Sequence, residues 1–505
     1  MSSTKPRAEG IMTQSAAVVR AVLLTVAAGA LVTAMQAQEA ASPYVPDPDP
    51  VVRQKLDEWQ DLKLGLLMHW GTYSQWGIVE SWSLCSEDES WCRRSMDDYA
   101  TYKTAYEKLQ ATFNPVKFDP ERWAKAAHDA GMRYVVFTTK HHDGFNMFDT
   151  RESDYRITSP KTPFSTNPRA DVTKAIFDAF RMQGFKVGAY FSKPDWHSPD
   201  YWWPYFATPD RNPNYDIKTH PERWARFVAF THAQIDELMS RYGRVDILWL
   251  DGGWVRPRTD AEVKAEINRP DYKFMRVQNQ DIDIPRLAAE ARAKQPGLIV
   301  VDRDVPGPYQ NYLTPEARVP PRPLPYPWEV PMPMARSWSY VPNDVYKSPR
   351  VLIQMLVDVV AKGGNLLLNI GPGPDGTWQD AAYDRLAAIG AWTAANGEAI
   401  YGTRPLAPYA EGQVRFTRAK DGTVFAIYLP RADETALPRD LTLAGFAPAA
   451  GATITLLGTR RTIPWERSGS GVVAHMPAGL APPNADAWVF RISTTKGRPD
   501  GHRQR

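Results

Sequence analysis

Reactive side chains recur at one kind of place in this chain: the end of a short, uncharged, β-branched run. His69 follows Leu64–Met68, and Lys140, His141 and His142 follow Tyr134–Thr139. Tyr190 lies in Phe185–Phe191 with Asp195 just beyond, Asp251 ends Val245–Asp251, Arg303 ends Leu298–Arg303, and Asn369 lies in Asn365–Ile370. Taken singly, each has a plain reading: a core histidine bonded to backbone, a turn-forming Asp-Gly, an ion-paired arginine or an aromatic of the core. Repetition at successive run ends argues for a site. Two chemistries suit it. Histidines with Asp251 could hold a hydrolytic metal, or a carboxylate pair could perform glycosyl transfer while histidines and aromatics hold hydroxyls and ring faces. The pattern favours the second. The first run ends His69-Trp70-Gly71 without a second histidine one residue on. Adjacent His141 and His142 would point to opposite sides if strand geometry persisted.

The runs imply parallel strands buried on both faces. Helical patterns lead into them: Asp119–Gly131, Asp171–Gly184, Glu222–Tyr242, Ile284–Gln295 and Ser348–Gly364. Six or more βα units argue closure into a barrel, with the reactive residues on its C-terminal rim. A doubly wound sheet fits less well, because no glycine-rich dinucleotide fingerprint follows the first strand. After Thr403 the texture changes to short alternating runs at Val414–Phe416, Val424–Tyr428, Thr453–Leu457 and Trp488–Phe490. The expected fold class is therefore α/β, a (β/α)8-like TIM barrel with a C-terminal antiparallel β-sandwich. The boundaries expected are a signal peptide at 1–37, a linker at 38–55, the barrel at 56–402, the sandwich at 403–495 and a polar, disordered tail at 496–505. Residues 304–334 read as a long Pro-rich loop, of a length that is usually functional.

A chain of 505 residues suits a barrel with an accessory module. Its net charge is +3, and without Lys5, Arg7, Glu9 and Arg20 of the first 37 residues it is about +1. No basic stripe points to nucleic acid. The 18 Trp and 22 Tyr suit sugar rings, which stack on aromatic faces. Arg20 precedes a short apolar run to Val32 and small residues up to Ala37, the pattern of an export signal. An exported protein, periplasmic or extracellular and without stable membrane insertion, is expected, an uncleaved anchor being the alternative. Only two cysteines occur, Cys85 and Cys92. Their spacing matches no metal motif, and in an oxidising compartment they could pair.

Several long segments resemble the retaining α-L-fucosidases of glycoside hydrolase family 29. They are LGLLMHWGTY at 64–73, YVVFTTKHHDGF at 134–145, DILWLDGGW at 246–254, SWSY at 337–340 and MLVDVVAKGGNLLLNIGPGPDGT at 355–377. The resemblance implies exo-acting hydrolysis of terminal α-L-fucosyl residues from oligosaccharides or glycoconjugates, by double displacement, with no cofactor and no metal. Asp251 occupies the position of the nucleophile. Gly252 and Gly253 behind it would let a substrate approach the backbone. Glu316, in Thr314-Pro315-Glu316, resembles the acid/base segment, with Glu329 of Trp328-Glu329 as competitor. The acid role asks for a burial-raised pKa. His69, His141, His142, Glu80 and Trp82 would bind fucose hydroxyls, although Ser81 separates a Glu and a Trp that the family places side by side. Tyr190 and Trp249 match pocket walls, and Arg303 an arginine near the sugar or the acid/base. Trp196, Trp202 and Trp203 form an aromatic patch suited to aglycone subsites. Two other functions stay open: a metal-dependent hydrolase on the same barrel, and a catalytically silent carbohydrate-binding protein.

Overall fold

The computed structural model describes residues 44–84, 94–203, 210–270, 276–459 and 461–493. The export signal, the tail and both cysteines lie outside the described residues. Seven parallel strands form the first sheet: β1 (Leu64–Met68), β2 (Tyr134–Lys140), β3 (Lys186–Ser192), β4 (Ile247–Asp251), β5 (Ile299–Asp302), β6 (Glu329–Pro333) and β7 (Asn365–Ile370). Their order is β5-β4-β3-β2-β1-β7-β6. Alternate residues part to the two faces. Leu64, Leu66, Met68, Val135 and Phe137 pack in the large outer core, whereas Leu67, Tyr134, Val136, Tyr190, Trp249, Val301 and Leu367 share an inner one. Both faces are apolar, hence the unbroken hydrophobic runs.

Helices α1 (Pro50–Gln60), α2 (Tyr99–Glu107), α3 (Pro120–Asp129), α4 (Val172–Met182), α5 (Pro221–Arg241), α6 (Asp260–Ile267), α7 (Ile284–Lys294), α8 (Pro349–Ala361) and α9 (Asp380–Asn396) intervene. Several start alike. Asp49, Asp119 and Ser348 accept a first-turn N–H ahead of a proline at the first helical position, where its missing donor costs nothing. This start also corrects the linker read at 38–55. Asp49-Pro50 begins a helix inside it, and Asp47 is buried on Arg292 and Asn311.

Where an eighth strand was expected, the sheet has seven and a substitute. Residues 309–313, in the segment between β5 and β6, bond to both. Asn311 N–H donates to Val300 O at 3.0 Å, and Glu329 N–H donates to Leu313 O at 2.8 Å. This extended stretch closes the barrel. β6 itself lies inside the region read as a Pro-rich loop. Pro331 and Pro333 offer no N–H, and strands of that composition do not stand out in a sequence. It survives here because β7 is its one regular strand partner.

α1 closes the floor. Trp59 stacks on Tyr312 with centroids 4.0 Å apart at 7°, and meets Tyr134 edge-on at 6.2 Å. Tyr134 in turn fills the space above Gly65, where a Cβ would stand 2.4 Å from its ring. Beyond the barrel lie β8 (Arg404–Glu411), β9 (Val414–Arg418), β10 (Val424–Tyr428), β11 (Asp440–Leu443), β12 (Thr453–Leu456), β13 (Arg461–Ile463), β14 (Trp465–Ser468), β15 (Gly471–His475) and β16 (Trp488–Ser493). Six ordered β13-β12-β16-β10-β9-β8 and three ordered β11-β15-β14 enclose a second apolar core that includes Phe416, Leu443, Ile454, Val472 and Phe490. Arg415, on β9 (Val414–Arg418), joins this unit to α8 through Asp358 at 2.6 Å.

Because Gly65 admits the Tyr134 ring, Gly65→Ala should lower stability by about 1–3 kcal/mol, the usual cost of overpacking. Urea denaturation measures this, and a change below about 0.5 kcal/mol would mean that the ring has room to move.

Candidate active site

The strand ends converge on one cavity of about 930 Å³, lined by His69, Glu80, Trp82, His141, His142, Tyr190, Trp249, Asp251, Arg303 and Glu316. All ten site residues expected from the sequence meet there. Asp251, last residue of β4, is 16% exposed and held by two donors. Arg303 Nη1 donates to its Oδ1 at 2.7 Å and Tyr190 Oη to its Oδ2 at 2.6 Å. Burial alone would raise its pKa, but Arg303, His142 and the Tyr190 hydroxyl outweigh burial and hold the carboxyl well below the usual range. It is an anion under ordinary conditions.

The same guanidinium reaches the second carboxylate. Arg303 Nη2 donates to Glu316 Oε2 at 2.6 Å, while Nε donates to Thr314 Oγ1 at 3.0 Å. All three arms are thereby occupied, and the charge lies 4.6 Å above the Trp249 ring. Glu316 is 48% exposed. Glu329 stands elsewhere. As first residue of β6, paired in register with Asn365, it lies at the floor end among Tyr134, Trp249 and Tyr312 and does not line the cavity. Its rivalry with Glu316 ends on position, since substrates enter a barrel at the opposite end of the strands.

Three histidines face the carboxylates, and hydrogen bonds fix the tautomers of His69 and His142. Asn369 Oδ1 accepts from the His69 backbone N–H at 3.2 Å and lies 2.8 Å from Nδ1. That nitrogen must carry the proton, leaving Nε2 as acceptor. Ser192 gives its hydroxyl proton to Pro194 O at 2.7 Å, so it accepts from His142 Nδ1 at 2.6 Å. His142 Nε2 is then an acceptor and lies 3.7 Å from Asp251 Oδ2. Burial lowers His69 and His142 to about 4 and His141 further, so all three are neutral near pH 7.

The residue between Glu80 and Trp82 has its own use. Ser81 Oγ accepts from Asp143 N–H at 3.0 Å and meets His141 Nδ1 at 2.5 Å. Turned away from the cavity, it orients a histidine while its neighbours line the wall. Glu80 accepts from Ser339 N–H at 2.8 Å, and burial pushes its pKa to about 7. Trp82 sets its edge on His142 at 5.2 Å. Ser81, Ser192, Asp304 and Trp254 were not singled out as site residues beforehand. The extra residue at Ser81 was the one signal available.

Other expectations give way. Trp196 and Trp202 are core residues, and Trp203 packs under Arg223 away from the cavity. The aromatic walls are instead Trp82, Trp249, Trp254 and Trp338. Gly252 adopts φ +94°, and a Cβ on Gly253 would stand 2.8 Å from Asp304, so loop packing demands both glycines, while Gly253 also lines the cavity. Nor do His141 and His142 diverge. The strand stops at Lys140, and the rings lie 4.3 Å apart. With Asp251 they bring possible ligand atoms within 4.8 Å of one another, the one such grouping among the described residues. A cation there would adjoin Arg303, and both Asp251 oxygens already accept hydrogen bonds. The donor set suits a polar neutral ligand better than a second positive charge.

Comparison with known proteins agrees. The family model for Alpha-L-fucosidase matches residues 31–398. The tissue alpha-L-fucosidase of Bos taurus is 27% identical over 484 residues, covering 90% of this chain and 92% of its own length. Among solved structures, alpha-L-fucosidase isoenzyme 1 from Paenibacillus thiaminolyticus superposes with a TM-score of 0.70 at 28% identity, over 88% of this chain and 99% of that one. The Thermotoga maritima alpha-fucosidase solved in complex with fucose gives 0.67 at 26%, over 89% and 100%. A family match spanning most of the barrel, laid over a cavity that gathers every expected residue, places this chain in the alpha-L-fucosidase family.

Proposed function

We propose that the protein is an exo-acting, retaining α-L-fucosidase in which Asp251 is the nucleophile and Glu316 the acid/base. The observation that carries this reading is the single guanidinium joined to both carboxylates. It ties an anion and a second carboxyl to one group at the cavity, and double displacement uses such a pair flanking the scissile bond, typically about 5–5.5 Å apart. The Thermotoga maritima relative was solved with fucose, which supports the sugar.

Asp251 attacks the anomeric carbon of the fucosyl residue as the glycosidic bond breaks. Glu316, protonated, gives its proton to the departing oxygen. A β-linked fucosyl-Asp251 ester results. Glu316, now a carboxylate, takes a proton from water, whose oxygen displaces Asp251 and releases L-fucose with its α configuration kept. Arg303 and Tyr190 keep the nucleophile ionised and aimed. His69 and His142 offer Nε2 lone pairs to sugar hydroxyls, and Trp338, tilted on His69 at 5.4 Å, offers an apolar face. Fucosylated oligosaccharides or glycoconjugates are the substrates, and no metal or cofactor takes part. The apolar segment after Arg20 supports export to the periplasm or beyond. No helix among the described residues is long and apolar enough to cross a membrane.

Release of L-fucose from α1,2-, α1,3/4- and α1,6-fucosylated oligosaccharides tests the reading directly, with the first-formed anomer followed by proton NMR. Release of the α anomer, undiminished by EDTA, is expected. A β anomer, or loss on chelation, would contradict it. Asp251→Asn should abolish turnover of every fucoside. Glu316→Gln should cost about 10²–10⁴-fold on sugars as leaving groups. With a dinitrophenyl fucoside, which leaves without a proton, the same substitution should cost far less in the fucosylation step. Equal losses on both substrates would deny Glu316 the acid role.

Protonation of His69 or His142 removes an acceptor and adds charge. Both pKa values are depressed from 6.5 to about 4, so the neutral forms persist well below pH 6.5. The stability they contribute is present above pH 6.5 and lost as pH falls towards about 4. The acid limb of kcat/KM should therefore fall near pH 4, with circular dichroism confirming the fold at each point. A limb near 6.5 that persists in Glu80→Gln, which removes the cavity carboxyl raised to about 7, would mean that these rings titrate like solvated histidines.

A further inference from the structure

The barrel interior holds one carboxyl that the double displacement does not use. Glu329 is fully buried, with Oε2 accepting from Tyr134 Oη at 2.6 Å and Oε1 from Trp249 Nε1 at 3.3 Å. Apolar residues of similar volume would fill such a place at less cost, because a buried carboxyl loses its hydration. What it holds is informative. Trp249 stands two residues before Asp251 on β4, so both project inward. Tyr190 stacks on the Trp249 ring at 5.1 Å and 25°, and the Arg303 guanidinium lies 4.6 Å over it. Those are the two residues that donate to Asp251, at 2.6 and 2.7 Å. The indole is thus a plate on which both partners of the nucleophile rest.

We propose that Glu329 is a positioning residue for Asp251, fixing the Trp249 indole from the barrel floor so that Tyr190 and Arg303 hold the nucleophile in line with the anomeric carbon. The proposal rests on the fucosidase reading of the site. Shape alone leaves an indole more than one packed orientation. A hydrogen-bond acceptor for Nε1 selects one of them, and the stacked Tyr190 and Arg303 inherit it. The Tyr134 hydroxyl fixes the carboxyl in turn, and Tyr134 is wedged against Gly65. An unbroken series of contacts therefore runs from floor to nucleophile: Gly65, Tyr134, Glu329, Trp249, then Tyr190 and Arg303, then Asp251.

The test compares Glu329→Leu, which removes the acceptor, with Glu329→Gln, whose amide oxygen keeps one for the indole. Misplacement of reacting groups by about 1 Å costs about 100-fold. On an aryl α-L-fucoside, kcat of Glu329→Leu should fall about 100-fold while KM changes less than about threefold, and Glu329→Gln should recover most of the loss. Trp249→Phe, which deletes the donor and leaves Glu329 intact, should reproduce the loss should Glu329→Leu fail to fold. In that background Glu329→Gln should change kcat little further, as expected of residues acting in one series. A Leu variant with wild-type kcat would overturn the proposal, as would Leu and Gln variants that lose kcat equally, or Trp249→Phe with no loss. Crystal structures of the variants decide the matter without turnover. A turned or shifted indole, with Asp251 displaced from Arg303 and Tyr190, supports it, and unchanged positions overturn it. Failure of the fucosidase reading shows separately, as a wild type inert towards the aryl fucoside while the variants' structures still report on Trp249.

Discussion

Two carboxylates and one guanidinium set the terms for everything around them. Asp251 and Glu316 both sit on Arg303, so the positive charge that keeps the nucleophile ionised also secures the second carboxyl. Arg303 is almost fully buried and stays charged although burial opposes it, because the two carboxylates more than compensate. Burial keeps the histidines beside them neutral, each with one nitrogen tied to Asn369, Ser192 or Ser81. Recognition around the sugar then falls to hydrogen-bond acceptors and aromatic faces, which suits a substrate that is uncharged and rich in hydroxyls.

The barrel delivers those groups through strand periodicity. Trp249 and Asp251 share an inward face, and Tyr190 and Trp249 lie opposite in register on β3 and β4. The nucleophile's hydroxyl donor thus comes from the adjacent strand, while its guanidinium comes from the residue after β5. Closure by residues 309–313 carries the chain onward to Thr314 and Glu316 at the rim. The irregular eighth position and the proposed acid/base, Glu316, therefore belong to one segment. A regular strand with a following helix would have put a different length of chain there.

Much of this was legible beforehand, for identifiable reasons. Strands buried on both faces leave long uncharged runs, so β1, β2, β3, β4, β5 and β7 stood out within a residue or two. The residues beyond them, His69, His141, His142, Asp251 and Arg303, followed from the rule that barrel sites form at strand ends. β6 was hidden, since Pro331 and Pro333 write the signature of a loop into a strand. Adjacency misled at His141 and His142, where period-two alternation was extended two residues past the end of the strand. Trp196 and Trp202 show the opposite limit. Aromatic clustering in sequence does not distinguish a sugar platform from a core. Ser81 and Ser192 lay beyond reach for a simpler reason: a serine that orients a histidine 60 or 50 residues away leaves no local pattern.

The most direct measurement is to trap the intermediate. Incubation with 2-deoxy-2-fluoro-α-L-fucosyl fluoride, followed by intact mass and peptide mapping, should show one fluorofucosyl group per chain, attached to Asp251. Labelling at any other carboxylate, or persistent turnover with no adduct, would contradict a mechanism in which Arg303 holds Asp251 as the attacking anion.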